Sequence, residues 1–235
     1  MRVAALYDIH GNLPALEAVL AELALDPPDA IVVGGDVLWG PYQSECVGLL
    51  RDVGARFISG NCERAVLHED SDADRWCRGQ LDAELLTDVG TWPMTLELDV
   101  DGLGWVLFCH ATPRSDDEII TGLTPDAAVA EAFGGIAADV VVCGHTHVQV
   151  DRVVPGAPRL VNAGSVGLPY EGEPGAFWAL LGGKVEHRKT AYDVESAIAR
   201  LCETAFPSVE DVFCELRGGT TAASASEYFE GLRGA

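Results

Sequence analysis

The stretch from Val3 to Asn12 constrains the fold more than any other part of this sequence. A short apolar run ends abruptly at Asp8 and His10 and is followed by turn residues. Apolar runs of this length are typical of buried strands, and a buried strand should not end in an unpaired carboxylate beside an imidazole. In open α/β sheets, side chains at the carboxyl end of a strand face the crevice where ligands bind. We therefore predict that Asp8 and His10 begin a metal site.

The segment after Asn12 completes a β-α-β unit. Residues 14–25 carry apolar side chains at helical spacing, and Pro14 suits the first turn of a helix. Residues 30–33 form a second apolar run, which predicts a strand parallel to the first. This strand is followed by Gly34-Gly35-Asp36, so the second strand also ends in a carboxylate.

Three later apolar runs also end in polar side chains. Residues 56–59 precede Gly60-Asn61, residues 104–109 precede His110, and residues 139–143 precede Gly144-His145-Thr146-His147. Taken alone, a histidine after a strand is most often structural, and two histidines in a turn can simply be exposed. The repetition of polar groups at successive strand ends favours metal ligands at Asn61, His110, His145 and His147.

The remaining elements are predicted from periodicity and turn residues. Residues 95–100 and 104–109 form a hairpin, and the last third is rich in strands, with a turn at Gly182-Gly183. Ser44 is expected to cap a helix that runs to Val53. Further predicted strands cover 148–154, 159–161, 176–181 and 184–190, further helices cover 124–133, 194–204 and 226–232, and 63–89 is helical around an acidic loop at 69–74.

Composition limits the class of protein. The length of 235 residues predicts one domain spanning residues 1–235. No apolar run approaches the roughly 20 residues that a membrane helix needs, and the first run is cut by Asp8 too early for a signal peptide. We expect a cytoplasmic protein with no membrane partner. The net charge of −22 argues against broad binding to nucleic acid.

The cysteines do not form a disulfide framework. Seven cysteines are scattered without a CxxC pair, which predicts reduced thiols. Cys109 and Cys143 lie in apolar runs and are expected in the core.

The polar groups at strand ends suit a two-metal site. They are Asp8, His10, Asp36, Asn61, His110, His145 and His147. Oxygen and imidazole ligands without thiolates suit Mn²⁺, Fe, Ni²⁺, Co²⁺ or Zn²⁺, and seven ligands exceed the needs of one tetrahedral centre. Two divalent ions that share a carboxylate can hold a phosphoryl oxygen and generate hydroxide at neutral pH.

In order and spacing, these motifs resemble those of the calcineurin-like metallophosphoesterases. The resemblance covers residues 3–170 and implies a four-layer α-β-β-α sandwich, an α/β (α+β) fold of two mixed sheets flanked by helices. It also implies the ligands of each ion, with Mn²⁺ favoured. The first ion would be bound by Asp8, His10, Asp36 and His147, and the second by Asp36, Asn61, His110 and His145.

Cys62 departs from the commonest pattern of the family. The family usually has a histidine after the Gly-Asn pair, where it contacts phosphate and helps to protonate the leaving group. A thiol is a weaker donor, and its presence here resembles the small bacterial and archaeal phosphodiesterase branch. Cys62 is not expected to be a nucleophile, because a cysteine phosphatase needs an arginine six residues later and this chain has His68, which we expect on the surface.

The resemblance therefore implies a metal-dependent phosphoester hydrolase that favours diesters and forms no covalent intermediate. Catalysis would involve Asp36, Asn61, Cys62 and His110, and Asn61 and Cys62 would bind the substrate, a small phosphoester. One alternative is a phosphomonoesterase of the protein phosphatase or dinucleoside polyphosphate hydrolase type. The other is a non-catalytic metal-binding scaffold. The sequence does not predict the oligomeric state.

Overall fold

The computed structural model describes residues 1–207 and 209–233, with side chains except those of residues 211, 213 and 214. The strands of this part of the chain are β1 (Val3–Leu6), β2 (Ala30–Val33), β3 (Arg56–Phe57), β4 (Thr95–Val100), β5 (Gly104–Cys109), β6 (Val140–Cys143), β7 (Val150–Arg152), β8 (Arg159–Asn162), β9 (Ala176–Gly182) and β10 (Lys184–Thr190). The helices are α1 (Leu13–Leu25), α2 (Gln43–Asp52), α3 (Asn61–His68), α4 (Asp72–Gly79), α5 (Ala83–Val89), α6 (Asp126–Phe133), α7 (Val194–Cys202), α8 (Val209–Leu216) and α9 (Ala222–Leu232).

The strands form two mixed sheets of five strands each. The first has the order β10-β9-β1-β2-β3, and the second has the order β4-β5-β6-β8-β7. In the first sheet β1 pairs in parallel with β2, with Leu6 opposite Val33, so the predicted β-α-β unit is confirmed. In the second sheet β5 pairs in parallel with β6, and the predicted hairpin of β4 and β5 is confirmed.

Successive side chains along each strand point to opposite faces of the sheet, and this alternation creates the layers. In β1, Val3 and Ala5 pack into a core that also contains Phe108 and Val142 of the second sheet. The next residues in the strand, Ala4 and Leu6, point to the other face and pack against α1, α2 and α7. On the outer face of the second sheet, residues of β5 and β6 pack against α6. Side chains that alternate between the faces of both sheets therefore build the predicted α-β-β-α sandwich.

Several boundaries differ from the predictions for local reasons. Ser44 does not cap α2, which begins after Tyr42 without a side-chain cap, and the Ser44 hydroxyl instead donates to the Gln80 carbonyl at 3.2 Å. The acidic segment is a loop only as far as Ser71, because the Ser71 hydroxyl accepts from the Asp74 main-chain nitrogen at 3.1 Å and so caps α4. The third strand is shorter than predicted and ends at Phe57.

The end of the chain contains one helix that the sequence patterns do not predict, α8. The last helix begins at Ala222, four residues earlier than expected, because the Thr221 hydroxyl accepts from the Ser224 main-chain nitrogen. Gly182 belongs to β9, and Gly183 alone forms the turn to β10, at a φ of +71°. None of the described helices is both long and apolar enough to cross a membrane.

The described cysteine side chains are free thiols, as predicted, and Cys109 and Cys143 are buried in the core. The side chain of Cys214 lies outside the described residues.

Candidate metal centre

The candidate ligands lie in turns at the carboxyl ends of strands from both sheets. Five of them have the left-handed backbone conformation that non-glycine residues rarely adopt. Their φ angles are +53° at Asp8, +48° at His10, +54° at Asp36, +66° at His145 and +57° at His147. Such conformations cost free energy and persist where the surrounding structure enforces them, which is common at functional sites. The backbone therefore turns sharply where these side chains leave it.

Two glycines allow these turns to approach one another. A Cβ atom at Gly35 would lie 2.7 Å from the Gly60 nitrogen and 2.8 Å from the His110 Nδ1 atom. A Cβ atom at Gly144 would lie 2.4 Å from the Asp8 Oδ2 atom. Residues with a side chain would displace a candidate ligand at either position.

Imidazole nitrogens and carboxylate oxygens converge between the sheets. The His147 Nε2 atom lies 3.4 Å from Asp8 Oδ1, and the His110 Nε2 atom lies 3.4 Å from Asp36 Oδ2. The Nε2 atoms of His10 and His147 are 3.2 Å apart. His110 Nε2 is also 3.8 Å from Asp8 Oδ1, so it lies close to both carboxylates.

Main-chain carbonyl groups orient two of the imidazoles. The Nδ1 atom of His110 lies 2.9 Å from the Gly34 oxygen, and the Nδ1 atom of His147 lies 2.6 Å from the Leu168 oxygen. Since a carbonyl oxygen only accepts, each Nδ1 atom donates, and the lone pair of each neutral ring lies on Nε2. Both Nε2 atoms face the centre, which is how a metal-binding histidine is oriented.

Hydrogen bonds within the protein leave part of this centre unsatisfied. Asp8 is fully buried, yet its Oδ1 atom has no hydrogen-bond partner among the described residues. Its other oxygen, Oδ2, accepts from the His145 main-chain nitrogen at 3.0 Å. A buried carboxylate oxygen without a donor is costly, and a cation among these acceptors would remove that cost. The donor set therefore fits a divalent metal.

Burial and the neighbouring candidate ligands together shift the pKa values of these groups. Burial opposes ionisation of Asp36, but the adjacent His110 and His10 imidazoles hold the pKa of this carboxyl well below its usual range. Burial, reinforced by His147, lowers the pKa of His10 to about 4. Burial, reinforced by His110, lowers the pKa of His145 to about 4. His10 and His145 are therefore neutral at pH 7, as metal ligands must be.

His110 differs because it lies between the two carboxylates. Burial disfavours its charged form, but Asp36 and Asp8 outweigh burial and raise the pKa of His110 to about 10. The same negative charge would attract a metal cation.

Six of the predicted site residues form three overlapping clusters of potential ligand atoms, each within 4.8 Å. The clusters are Asp8–His10–His147, His10–Asp36–Cys62 and Asp8–Asp36–His110. Asn61 is adjacent, with its Oδ1 atom 3.0 Å from His110 Nε2. The His145 ring centroid lies 5.3 Å from that of His110, at the edge of the centre. His68 is exposed, as expected of a surface residue.

Cys62 lies within the centre, and its environment keeps it a thiol. Burial, together with the Asp36 and Glu63 carboxylates, raises the pKa of the Cys62 thiol well above its usual range. Its main-chain nitrogen donates to Asp36 Oδ1 at 2.8 Å. A protonated thiol is a poor nucleophile, which agrees with the prediction that Cys62 does not attack phosphate.

Glu63 is a functional residue that the strand-end pattern does not identify. Its fully buried carboxylate accepts four main-chain hydrogen bonds, two at Oε2 and two at Oε1. The donors are Asp36 and Gly60 at 2.7 Å, Val37 at 2.9 Å and Leu38 at 3.0 Å. Glu63 therefore joins the turn after β2 to the start of α3 and fixes Asp36. The available signal was its position three residues after Gly60, which suits a carboxylate at the start of a helix.

The turn at residues 162–169 also supports the centre. The Ser165 hydroxyl donates to the Asp8 carbonyl at 2.7 Å and accepts from the Leu168 nitrogen at the same distance. The Asn162 amide donates to the Gly144 carbonyl at 2.7 Å. This turn therefore holds both the Asp8 turn and the Gly144 turn in place.

Aromatic rings lie on the side of the metal centre that faces α9. Tyr170 stacks on His147, with ring centroids 4.7 Å apart and planes 21° apart. Phe229 of α9 lies 6.4 Å from the His145 ring and 6.2 Å from Tyr170. The sequence patterns gave no signal for Phe229.

Comparison with known proteins agrees with this fold and site. A family model of the calcineurin-like phosphoesterase superfamily domain matches residues 1–181. An uncharacterized protein of Methanocaldococcus jannaschii is 28% identical over 232 residues, which cover 87% of this chain and 93% of the relative.

Two solved structures share the architecture over nearly the whole chain. A metallophosphoesterase from Sphaerobacter thermophilus is 27% identical and has a TM-score of 0.75. The match covers 94% of this chain and 100% of that chain. A hypothetical protein from Pyrococcus horikoshii OT3 has a TM-score of 0.77 at 21% identity, with 94% of this chain and 99% of that chain covered. The second likeness concerns the fold alone.

Two facing mixed sheets with carboxylates and imidazoles at their strand ends define the metal-dependent phosphoesterase class. The chain belongs to the calcineurin-like phosphoesterase superfamily, whose domain covers most of its length. The family assignment confirms the resemblance seen in the sequence and supports a phosphoester hydrolase.

Proposed function

We propose that this protein hydrolyses small phosphoesters, with phosphodiesters favoured, and that it depends on two divalent metal ions, with Mn²⁺ favoured. Asp8, His10, Asp36 and His147 would hold one ion. Asp36, Asn61, His110 and His145 would hold the other. When bound, such a pair of ions polarises the phosphoryl oxygens and lowers the pKa of an attacking water.

The observation that carries this proposal is the orientation of the imidazoles. The Nε2 atoms of His110 and His147 each lie 3.4 Å from a buried carboxylate, while their Nδ1 atoms are engaged by carbonyl groups. The unsatisfied Oδ1 atom of Asp8 lies in the same space. This arrangement supports a metal centre rather than a set of structural ion pairs.

The protein's own groups have distinct tasks in the proposed reaction. Asp36 lies near both His10 and His110, at 3.8 and 3.4 Å, which suits a carboxylate shared between two ions. Asn61 and Cys62 begin α3 beside it and would contact the phosphoryl group. Glu63 fixes the main chain of Asp36 and Gly60 and is a positioning residue. The acidic surface of the chain favours a small substrate over a nucleic acid, and the free thiols suit a cytoplasmic protein.

The proposal is tested with protein that has been stripped by a chelator and reloaded with Mn²⁺. We expect hydrolysis of bis(p-nitrophenyl) phosphate only in the reloaded protein and faster turnover of this diester than of p-nitrophenyl phosphate. Asp36→Asn should abolish activity, whereas Asp99→Asn, on the exposed side of β4, should retain it. Activity that persists in Asp36→Asn after loss of one ion would contradict the two-metal mechanism. Full metal loading without hydrolysis of either ester would indicate a non-catalytic scaffold.

A further inference from the structure

A cavity lies beside the candidate metal centre, and most of its lining comes from residues after 181, where the match to the family model ends. Its volume is about 340 Å³, and it is lined by Tyr170, Glu215, Thr220, Ser224, Ala225, Tyr228 and Phe229. Tyr170 stacks on His147, so one ring separates the cavity from a candidate metal ligand. Phe229, on the same lining, lies 6.4 Å from the His145 ring, so the cavity borders the candidate metal centre.

Hydrogen bonds hold the walls of the cavity in place. The Glu230 carboxylate of α9 accepts from the Thr121 hydroxyl at 2.8 Å and also from the Thr124 hydroxyl. The Gly172 nitrogen donates to the Thr220 carbonyl at 2.9 Å, which fixes the segment before α9 to the loop that contains Tyr170. The cavity is therefore a built feature of the fold.

The lining combines three aromatic rings with one carboxylate. Glu215 accepts from the Thr220 hydroxyl at 2.9 Å and from the Thr220 nitrogen at 3.2 Å, one bond to each oxygen. Each carboxylate oxygen keeps a free lone pair. No lysine, arginine or histidine is among the described residues that line the cavity. The lining therefore favours a cation over an anion.

The angles between the rings select the shape of that cation. The Tyr170 and Phe229 planes are 39° apart with centroids at 6.2 Å, and the Tyr228 and Phe229 planes are 67° apart with centroids at 5.8 Å. A flat nucleobase stacks on parallel faces, which these rings do not offer. Mutually tilted rings instead present several faces to a compact, rounded cation such as a quaternary ammonium.

We propose that this cavity binds the quaternary ammonium group of an alcohol that is esterified to the phosphate at the metal centre. The inference rests on the proposed function, since it names the substrate class of the same site. Tyr170, Tyr228 and Phe229 surround the ammonium group, and Glu215 compensates its charge.

Binding is tested first without catalysis, by calorimetric titration of the full chain with choline chloride and with its neutral carbon analogue, 3,3-dimethylbutanol. We expect choline to bind about tenfold more tightly than the analogue, as a cation–aromatic contact implies. Glu215→Gln and Tyr228→Leu should each weaken choline binding about tenfold. Glu227→Gln, which removes a charge from the exposed side of α9, should leave it unchanged. Equal affinity for choline and the analogue would overturn the proposal. Binding of adenosine more tightly than choline would also overturn it.

The second test uses turnover by the Mn²⁺-loaded enzyme. The kcat/KM for p-nitrophenyl phosphocholine should exceed that for p-nitrophenyl 3,3-dimethylbutyl phosphate about tenfold, and Glu215→Gln should remove most of this preference. Equal turnover of the two diesters would overturn the ammonium site while leaving the phosphoesterase function intact. Choline binding without hydrolysis of either diester would overturn the phosphoesterase function and leave the ammonium site standing.

Discussion

The Glu63 carboxylate accepts a hydrogen bond of 2.7 Å from the main-chain nitrogen of Asp36, the carboxylate that both metal ions are proposed to share. Glu63 is fully buried, and three further main-chain nitrogens donate to it. The position of Asp36 therefore depends on a residue outside the set of candidate ligands.

Glu63→Gln should destabilise the fold and weaken the metal centre. A glutamine side chain places an NH₂ group where one carboxylate oxygen accepted two bonds, so two buried N–H groups lose their acceptor. We expect a decrease in the free energy of unfolding of about 2–4 kcal/mol in urea denaturation. Glu97→Gln on the exposed face of β4 is the control and should leave the free energy unchanged. A stability equal to that of the control would show that Glu63 does not hold these turns.

Gly144→Ala should disturb the metal centre directly. The new Cβ atom would lie 2.4 Å from the Asp8 Oδ2 atom and 2.5 Å from the Tyr7 ring, so the carboxylate must move. We expect loss of at least one ion in metal analysis and a decrease in kcat of about 100-fold, since small misplacements of reacting groups have effects of this size. Gly48→Ala in α2 meets nothing within 4 Å and should instead stabilise the protein by up to ~1 kcal/mol. Full metal content in Gly144→Ala would refute the steric argument.

Cys62→His should raise monoester turnover relative to diester turnover. An imidazolium would place a positive charge beside the phosphoryl group, which favours a doubly charged monoester over a singly charged diester. The Cys62 thiol supplies no such charge, because burial and nearby carboxylates raise its pKa and keep it neutral. We expect the ratio of kcat/KM for p-nitrophenyl phosphate to that for the diester to rise about tenfold. Cys62→Ser keeps a small, uncharged side chain and serves as the control. If the ratio is the same in all three proteins, Cys62 does not set the preference.

Metal removal should lower the stability of the protein. Without a cation, the buried carboxylates of Asp8 and Asp36 are compensated by imidazoles and by one main-chain N–H group each among the described residues. We expect Mn²⁺ at 100 times its Kd to raise the free energy of unfolding of chelator-treated protein by about 2.7 kcal/mol. Thermal denaturation with and without Mn²⁺ measures this change, and His10→Ala should reduce it. A midpoint that is insensitive to Mn²⁺ in the unsubstituted chain would argue against an internal metal site.

Much of the fold and the positions of the candidate ligands follow from local sequence. Asp8, Asp36 and His110 are recognisable because each follows a short apolar run. Parallel pairing places the ends of β1 and β2 together in the first sheet and the ends of β5 and β6 together in the second. The two-sheet arrangement was predicted from the resemblance to a family. In the structure, Val3 and Ala4 pack into different cores on opposite faces of the first sheet, as a two-sheet sandwich requires.

The features that escaped prediction depend on contacts between distant segments. Ser44 is a good cap by composition, but Gln80 offers its hydroxyl a carbonyl group that only the folded chain brings near. Glu63 meets its donors because the start of α3 lies beside the turn that follows β2. Phe229 reaches the centre because Glu230 fixes α9 to the loop at residues 121–124. The periodicity of apolar residues in the sequence carries no information about contacts between distant segments.

The candidate ligands come from both sheets, with Asp8, His10 and Asp36 after strands of the first and His110, His145 and His147 after strands of the second. An ion therefore meets its full set of donors only after the two sheets have docked in the correct register. If the proposed ions bind there, their uptake would be a late event in folding, and they would cross-link the two halves of the sandwich. An activity measurement on this protein would therefore test whether the two sheets are correctly assembled as well as whether the site is catalytic.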